Sequence, residues 1–404
     1  MMSDRSYTSP RNELENCCDS IAKLSSEWAG TVEERELWWD NCYGVWATRQ
    51  YRKTYSDLFG TWAPLRGRSV RMKIGRLRQA LAPSRWEKEK TCTPPLPSDA
   101  VVIPLEAHSG VVCVSAKLGT VLKIKYGDSV SDIDREANAW SVARQAGLDS
   151  HVPEFISGGS TGDNEKWMIG QFARNSSPIA YPLGYSTRVK WRPLLVNQVY
   201  PFMEKIYSSS RVSLISFRDR FENIISESEN ISDNTIGILF YELINRWKND
   251  LWKVQTIDAL VHGDFKLKHV HYDGDTWKII DWGTSSREDV IRERFSFLFY
   301  INTLSNEELL WWDWIKGGCE FSDLDPLIQR TVRDFANWRA AHLCTDASLE
   351  EARWHIRASL LYWICKNLGS LSDHDDIDLT LTSSFKAYGV PVNNAVAQLR
   401  YLLS

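Results

Sequence analysis

Two aspartates flank the stretch LVHGDFKLKHVHYDGDTWKIIDWG, residues 260–283. Asp264 follows His262 and Gly263, and Asp281 closes the apolar run WKII. The segments HVHY and WKII can pair as a β-hairpin across DGDT, whose Asp-Gly is a turn signal. Pairing them carries both carboxylates to the same edge of one cleft. Two carboxylates in different settings can divide the work, one orienting or deprotonating a hydroxyl and the other holding a divalent metal. Upstream, Lys123 and Lys125 project from the same face of the run TVLKIKYG, and strand alternation does not choose between them. Ile133, Glu136, Ala137 and Trp140 then share one helical face, which puts a carboxylate on an apolar stripe. A buried carboxylate needs a cation, and a lysine on the neighbouring strand supplies one. The plainer alternatives are two lysines on a solvated sheet face and a glutamate that reaches water. Taken together, a lysine with its carboxylate partner, a metal-binding carboxylate and an acceptor-positioning carboxylate are the set that phosphoryl transfer requires. At an ordinary pKa of about 3.9 Asp264 would be a weak base, so its contribution is mainly positioning.

The elements that must hold these residues fall into three parts. Residues 1–98 read as a helical N-terminal extension. VEERELWWDNCYGVWATRQYRKTYSDLF mixes aromatics and charges at helical spacings, and Val70, Ile74, Leu77 and Leu81 form one stripe among arginines and lysines at 66–78. That basic stretch is either a solvated face or a contact for an anionic membrane or polymer. TCTPPLPSDA ends the part, because prolines block helix continuation.

Residues 99–175 read as a small antiparallel sheet: strands at AVVIPLEA, GVVCVSAKLG and TVLKIKYG, a helix from a Ser131–Asp134 capping box to Gly147, then strands at HVPEFISGG and KWMIGQFA. Residues 176–404 read as mostly helical around the hairpin. Ile236, Leu239, Phe240, Leu243 and Trp247 form a core stripe, and further helices are expected at 290–304, 325–343, 349–367 and 390–403.

Composition sets the outer bounds. The 404 residues carry a net charge of −4, with 43% hydrophobic and 25% charged residues, so nothing points to nucleic-acid binding. The 8 cysteines form no C-x-x-C pair, which excludes a zinc knuckle or dithiol redox motif and suits reduced thiols. The 19 tryptophans are scattered and are expected to fill cores. Neither a signal peptide nor a span of ~18 uninterrupted apolar residues is visible, so a cytoplasmic location is expected.

In this order the motifs resemble the aminoglycoside phosphotransferases and their relatives, the choline, homoserine, macrolide and fructosamine kinases. HGDFKLKH is similar to their H-G-D-x-x-x-x-N, and IIDWG to their I-D-W-x. VLKIKYG, DREANAW and HVPEFISGG are similar to the lysine strand, the glutamate helix and the strand after it. The resemblance covers roughly residues 100–300 and leaves residues 1–98 outside. It implies an α+β, bilobal, protein-kinase-like fold with a small antiparallel-sheet N-lobe (99–175) and a mostly helical C-lobe (176–404).

The resemblance also implies roles. Lys123, rather than Lys125, contacts the α/β-phosphates of ATP, with GTP as the alternative, and Glu136 anchors it. Gln171 and Phe172 lie at the hinge that reads the base. Asp264 is the catalytic base, and His262 supports its loop by hydrogen bonding. Asp281 binds Mg²⁺. His269 stands where most of the family has a metal-binding Asn, as it does in macrolide phosphotransferases. His271 is expected to face solvent without a role. The implied reaction transfers the γ-phosphate to a hydroxyl of a small molecule or glycan. Three departures weigh against an ordinary protein kinase: EAHSGVV has no G-x-G-x-x-G, no A-P-E segment follows, and D-W-G replaces D-F-G. The weak phosphate loop, His269 and the Trp-rich N-terminal part support a second reading, a nucleotide-binding pseudokinase that acts as an interaction module.

Overall fold

A computed structural model of the chain describes residues 20–24, 28, 33–40, 45–52, 54, 86–88, 95–105, 109–162, 164–172, 177–178, 193–227, 235–265, 269–272, 275–291, 293, 307–369 and 402–403. The chain divides into two compact units, one made of Met1–Thr187 and Asp264–Ser285, the other of Arg188–Gly263 and Ser286–Ser404. The hairpin that the sequence placed with the helical part therefore groups with the sheet.

The first unit is built on an 8-stranded antiparallel sheet in the order β4-β2-β3-β6-β7-β8-β10-β9. Its strands are β2 (Trp38–Asp40), β3 (Val45–Ala47), β4 (Trp86–Lys88), β6 (Val101–Pro104), β7 (Gly110–Ser115), β8 (Thr120–Tyr126), β9 (Phe155–Gly162) and β10 (Glu165–Gln171). A separate two-stranded ladder pairs β1 (Glu33–Glu34) with β5 (Pro95–Leu96). The five strands expected between residues 99 and 175 are all present, with α1 (Ser131–Gln145) between β8 and β9.

The helical reading of the stretch beginning at Val32 is corrected. Residues 20–24 and 28 are helical, but 33–34, 38–40 and 45–47 are strands, and β3 pairs with β6 through Trp46↔Val102 and Ala47↔Val101. The described strands of the N-terminal part thus continue the sheet. The basic stretch at 66–78 lies outside the described residues.

Strand alternation in β8 sends Leu122 and Ile124 to one face and Lys123 and Lys125 to the other. Leu122 and Ile124 are fully buried in a core shared with Ile21, Leu24, Trp28, Leu37 and Trp46. The Trp28 indole donates to Thr120 Oγ1 at 3.0 Å, at the start of the lysine strand. Buried Asp99 ties the same segments together. It accepts from Thr54 Oγ1 (2.8 Å), Ser115 Oγ (2.6 Å) and the Lys117 amide (2.8 Å).

On the lysine face lies α1, which buries Ile133, Glu136, Ala139, Trp140 and Ala143; Ala139 rather than Ala137 completes the stripe. Gly170 on β10 permits this approach, since a Cβ there would sit 2.8 Å from Trp140 Cη2. Gly147 ends the helix with φ +70°, as expected. The capping box is absent. The Ser131 hydroxyl instead donates to Asp128 O at 3.3 Å, and Asp134 pairs with Lys166 at 2.5 Å.

The second unit has a three-stranded antiparallel sheet, β12 (Ser213–Ser216), β13 (Gln255–Val261) and β16 (Ser286–Asp289), with β13 central. Around it stand α2 (Tyr200–Ser209), α3 (Phe217–Glu227), α4 (Thr235–Leu251), α5 (Glu307–Lys316), α6 (Pro326–Leu343) and α7 (Leu349–Gly369). The core stripe of α4 and the helices at 325–343 and 349–367 match the sequence expectation.

Strand β13 was not anticipated. Its central Asp258 pairs with Arg220 of α3, whose guanidinium also donates to Thr256 Oγ1 at 3.2 Å. The segment REDVIRERF buries Asp289, Val290, Ile291 and Glu293. Asp289 accepts from Ser359 Oγ at 2.5 Å and faces His355 Nε2 at 3.3 Å, both on α7. Among the described residues no helix is long and apolar enough to cross a membrane.

Candidate functional site

Lys123 and Lys125 share a sheet face, and α1 supplies each with its own acid. Lys123 Nζ contacts both Glu136 oxygens at 2.8 and 2.7 Å, whereas Lys125 pairs with Asp132 at 2.9 Å. One helical turn separates the two acids, so strand and helix are joined by two ionic rungs. Asp281 distinguishes the lysines. Its Oδ1 lies 3.5 Å from Lys123 Nζ, and its Oδ2 lies 3.5 Å from His269 Nε2. The structure therefore brings together Lys123, Glu136, Asp281 and His269, all within the first unit. The side chains of Lys123, Glu136 and His269 are 12%, 3% and 4% exposed and that of Asp281 is 55%, so the group opens to solvent at Asp281.

The hairpin carrying Asp281 consists of β14 (Val270–Tyr272) and β15 (Trp277–Ile279), in register through Val270↔Ile279. A third strand, β11 (Ser177–Pro178), pairs with β14. Two residues outside the motif fix the hairpin. At one end His151 stacks on Trp277 at 4.0 Å, and its Nδ1 lies 3.1 Å from Trp277 O. At the other, Arg135 of α1 donates to Gly283 O at 2.9 Å, and the Ser285 hydroxyl donates to Arg135 O at 3.1 Å. Trp282 fills the turn between them and is fully buried, its indole donating to Ile279 O. Asp281 itself has left-handed backbone (φ 67°, ψ 54°). That conformation costs a non-glycine residue about 1 kcal/mol and clusters at functional positions.

The charges of the group are unequal. Burial alone would lower the Lys123 ammonium, but Glu136 and Asp281 outweigh it and hold its pKa above the ordinary value. Burial raises the Glu136 carboxyl against the pull of Lys123, and the nearby charge of Asp281 adds to the rise. Two carboxylates facing one lysine leave a net negative end at Asp281, where a cation is favoured.

An imidazole nitrogen and a carboxylate oxygen 3.5 Å apart can enter one coordination shell. Among the described residues no group of three or more His, Cys, Asp or Glu could hold a metal. Two protein ligands suit Mg²⁺ carried on nucleotide phosphates, because phosphate and water complete its shell. The residues present fit that ion.

The remaining expected site residues are placed differently. Asp264 is half-buried directly after β13, following Gly263, which has φ +85°. His262 is fully buried in the second unit. Gln171 and Phe172 do not offer their amides to a base: Gln171 N donates to Glu154 O and Phe172 N to Gly119 O, both at 2.8 Å. The Gln171 side chain accepts from Lys278 Nζ at 2.9 Å, at a cavity of about 370 Å³ lined also by Trp140, Arg144 and Glu154. His271 is buried at 3% exposure, which corrects its solvent-facing assignment. Sequence reasoning missed Arg135, His151 and Glu293. Arg135 lay within the quoted DREANAW, and His151 opens the quoted HVPEFISGG.

No protein-family model matches the sequence, and no curated protein matches it. Solved structures do. The chain is similar to the aminoglycoside phosphotransferase APH(4)-Ia, with 17% identity over 75% of this chain and 94% of that one, at a TM-score of 0.42. It is similar to a choline/ethanolamine kinase family protein from Mesorhizobium loti, with 14% identity over 81% and 98% of the two chains and a TM-score of 0.41. It is also similar to the choline kinase LicA from Streptococcus pneumoniae, with 13% identity over 74% and 92% and a TM-score of 0.40.

Proposed function

We propose that this protein is an ATP-dependent phosphotransferase that moves the γ-phosphate to a hydroxyl of a small molecule or glycan. The observation that carries the reading is the placement of Lys123 Nζ between the buried Glu136 (2.7 Å) and the exposed Asp281 (3.5 Å), with His269 on the far side of Asp281. Lys123 holds the nucleotide phosphates as a fixed positive charge, and Glu136 keeps the ammonium from swinging away. Asp264 accepts a hydrogen bond from the acceptor hydroxyl, aligns its oxygen with the γ-phosphorus and takes the proton late in the transfer. Asp281 and His269 are the residues that would hold Mg²⁺, which when bound neutralises charge on the phosphate oxygens. The mixed oxygen and nitrogen pair also accommodates Mn²⁺.

The test is incubation of the purified chain with Mg-ATP and a panel of sugars, amino alcohols and amino sugars, with mass spectrometry for a product 80 Da heavier, the mass of an added phosphoryl group. Asp264→Ala should lower turnover by about 10²–10⁴-fold, the range for a positioned base. Nucleotide binding without ATP consumption against any acceptor would overturn the proposal.

A further inference from the structure

Arg357 of α7 is 4% exposed, and among the described residues no acid pairs with it. Its Cζ lies 4.1 Å from the ring centroid of Trp354 and 4.9 Å from that of Trp247 on α4. Its Nε donates to Ile315 O at 2.6 Å, in the last turn of α5, where the helix C-terminus favours a cation. That bond uses one of the guanidinium's donors and leaves both terminal nitrogens to other acceptors. The acids nearby are already engaged: Asp313 with Lys316 at 3.4 Å, Glu350 with Arg353, and Asp250 with Lys253 at 3.0 Å. Burial, and next the charge of Arg353, bring the Arg357 pKa down to about 10. A buried charge is costly unless it is paired, so this one calls for an anion that the described residues do not supply. The backbone leaves room for one. A Cβ on Gly317 would stand 3.6 Å from Arg357 Nη2 and 4.0 Å from Arg353 Nη1, so two guanidinium groups face the same point. Gly317 is exposed and has φ +94°, a conformation that glycine holds without strain, so that point opens to solvent.

We infer that the guanidinium groups of Arg353 and Arg357, converging in front of Gly317, form a binding site for the phosphate group of a small molecule. Each guanidinium presents paired N–H donors that match two oxygens of a tetrahedral anion, and together the two cations balance a phosphate dianion. A carboxylate carries one charge and offers two oxygens, so it satisfies one arginine and leaves the other. The indoles of Trp354 and Trp247 and the bond to Ile315 O hold Arg357 in place beforehand, so little ordering is spent on binding. Every residue of the site belongs to the second unit. The inference is therefore independent of the phosphotransferase reading, which is carried by Lys123, Glu136 and Asp281.

The experiment titrates the full chain with inorganic phosphate, glycerol phosphate and acetate at constant ionic strength, in metal-free and nucleotide-free buffer, and reads affinity by calorimetry. The wild type should bind phosphate about tenfold more tightly than acetate, because the second guanidinium pairs only with the dianion. Arg357→Met and Arg353→Met should each weaken phosphate binding by about tenfold or more, the size of a charge-assisted hydrogen bond. Should Arg357→Met not fold, Arg353→Met decides alone, since the Arg353 side chain is 20% exposed and its loss leaves the buried packing in place. Equal affinity for the two phosphates assigns the site to the phosphate group itself, and tighter binding of glycerol phosphate assigns it to a phosphate ester; either supports the inference. A wild type that binds no phosphate overturns it, as does acetate bound as tightly as phosphate. Phosphate binding that a folded Arg357→Met or Arg353→Met keeps unchanged also overturns it, because the anion then lies on other cations such as Lys123. None of these outcomes alters the phosphotransferase reading, whose test is turnover of Mg-ATP with an acceptor.

Discussion

Nε of Arg135 donates a 2.9 Å hydrogen bond to the carbonyl oxygen of Gly283. The helix carrying Glu136 and the turn carrying Asp281 are thereby one mechanical piece, and Lys123 is held from both sides. Arg135 also pairs with Asp132, the acid that Lys125 reaches, so one guanidinium closes the frame around the site. Arg135→Met should keep the helix and lose the tie. The expected outcome is weaker Mg-ATP binding by about tenfold, equivalent to ~1.4 kcal/mol, read by titration with a fluorescent nucleotide. Unchanged affinity would show that the turn holds its own position.

The Lys123–Glu136 pair should be worth more as a pair than as its parts. Lys123→Met leaves a buried carboxylate beside Asp281, and breaking a buried pair costs ~3–5 kcal/mol. Glu136→Gln in the same chain should recover part of that loss, because the double variant buries no charge. Urea unfolding of the two single variants and the double variant measures the coupling, and additive losses would refute it.

His269 offers nitrogen where oxygen suits Mg²⁺ better. His269→Asn should raise the ratio of Mg²⁺- to Mn²⁺-supported turnover by about tenfold, since ligand hardness sets this preference. Steady-state rates with each metal check it; an unchanged ratio would remove His269 from the metal shell.

Acid stability should depend on Asp289. Burial would raise its carboxyl, but His355 first, and then Arg220 and the Ser359 hydroxyl, bring its folded pKa below the ordinary 3.8. A depressed folded pKa contributes stability that is present above the unfolded value and is lost as pH falls through the folded one. The wild type should therefore lose stability below about pH 4, and Asp289→Asn should be less stable at neutral pH yet flatter across that window. Urea midpoints from pH 7 down to pH 3 test this; parallel curves would contradict it.

What the sequence disclosed depended on whether a residue's partner was local. Strands β6 to β10 were legible because turn residues punctuate them, and Glu136 was legible because a carboxylate on an apolar stripe must find a cation. β2 and β3 span 3 residues each, too short for alternation to develop among mixed tryptophans and charges, so helical spacing was read instead. β13 hid behind Asp258, a charge in mid-strand that its partner Arg220 on another element makes tolerable. Asp289 and Glu293 were not legible because partners such as His355 and Ser359 in one case and the Gly263 amide in the other are distant in sequence.

The first unit is written in two pieces, residues 1–187 and 264–285, with the start of the second unit between them. During synthesis the sheet, Lys123 and Glu136 leave the ribosome well before Asp281 exists. At ~5–20 residues per second the wait lasts several seconds. A nascent chain stopped short of residue 281 would present the lysine with its buried partner and no second carboxylate. The contact between Lys123 and Asp281 therefore arises late in biosynthesis, after the chain has begun its second unit and returned to its first.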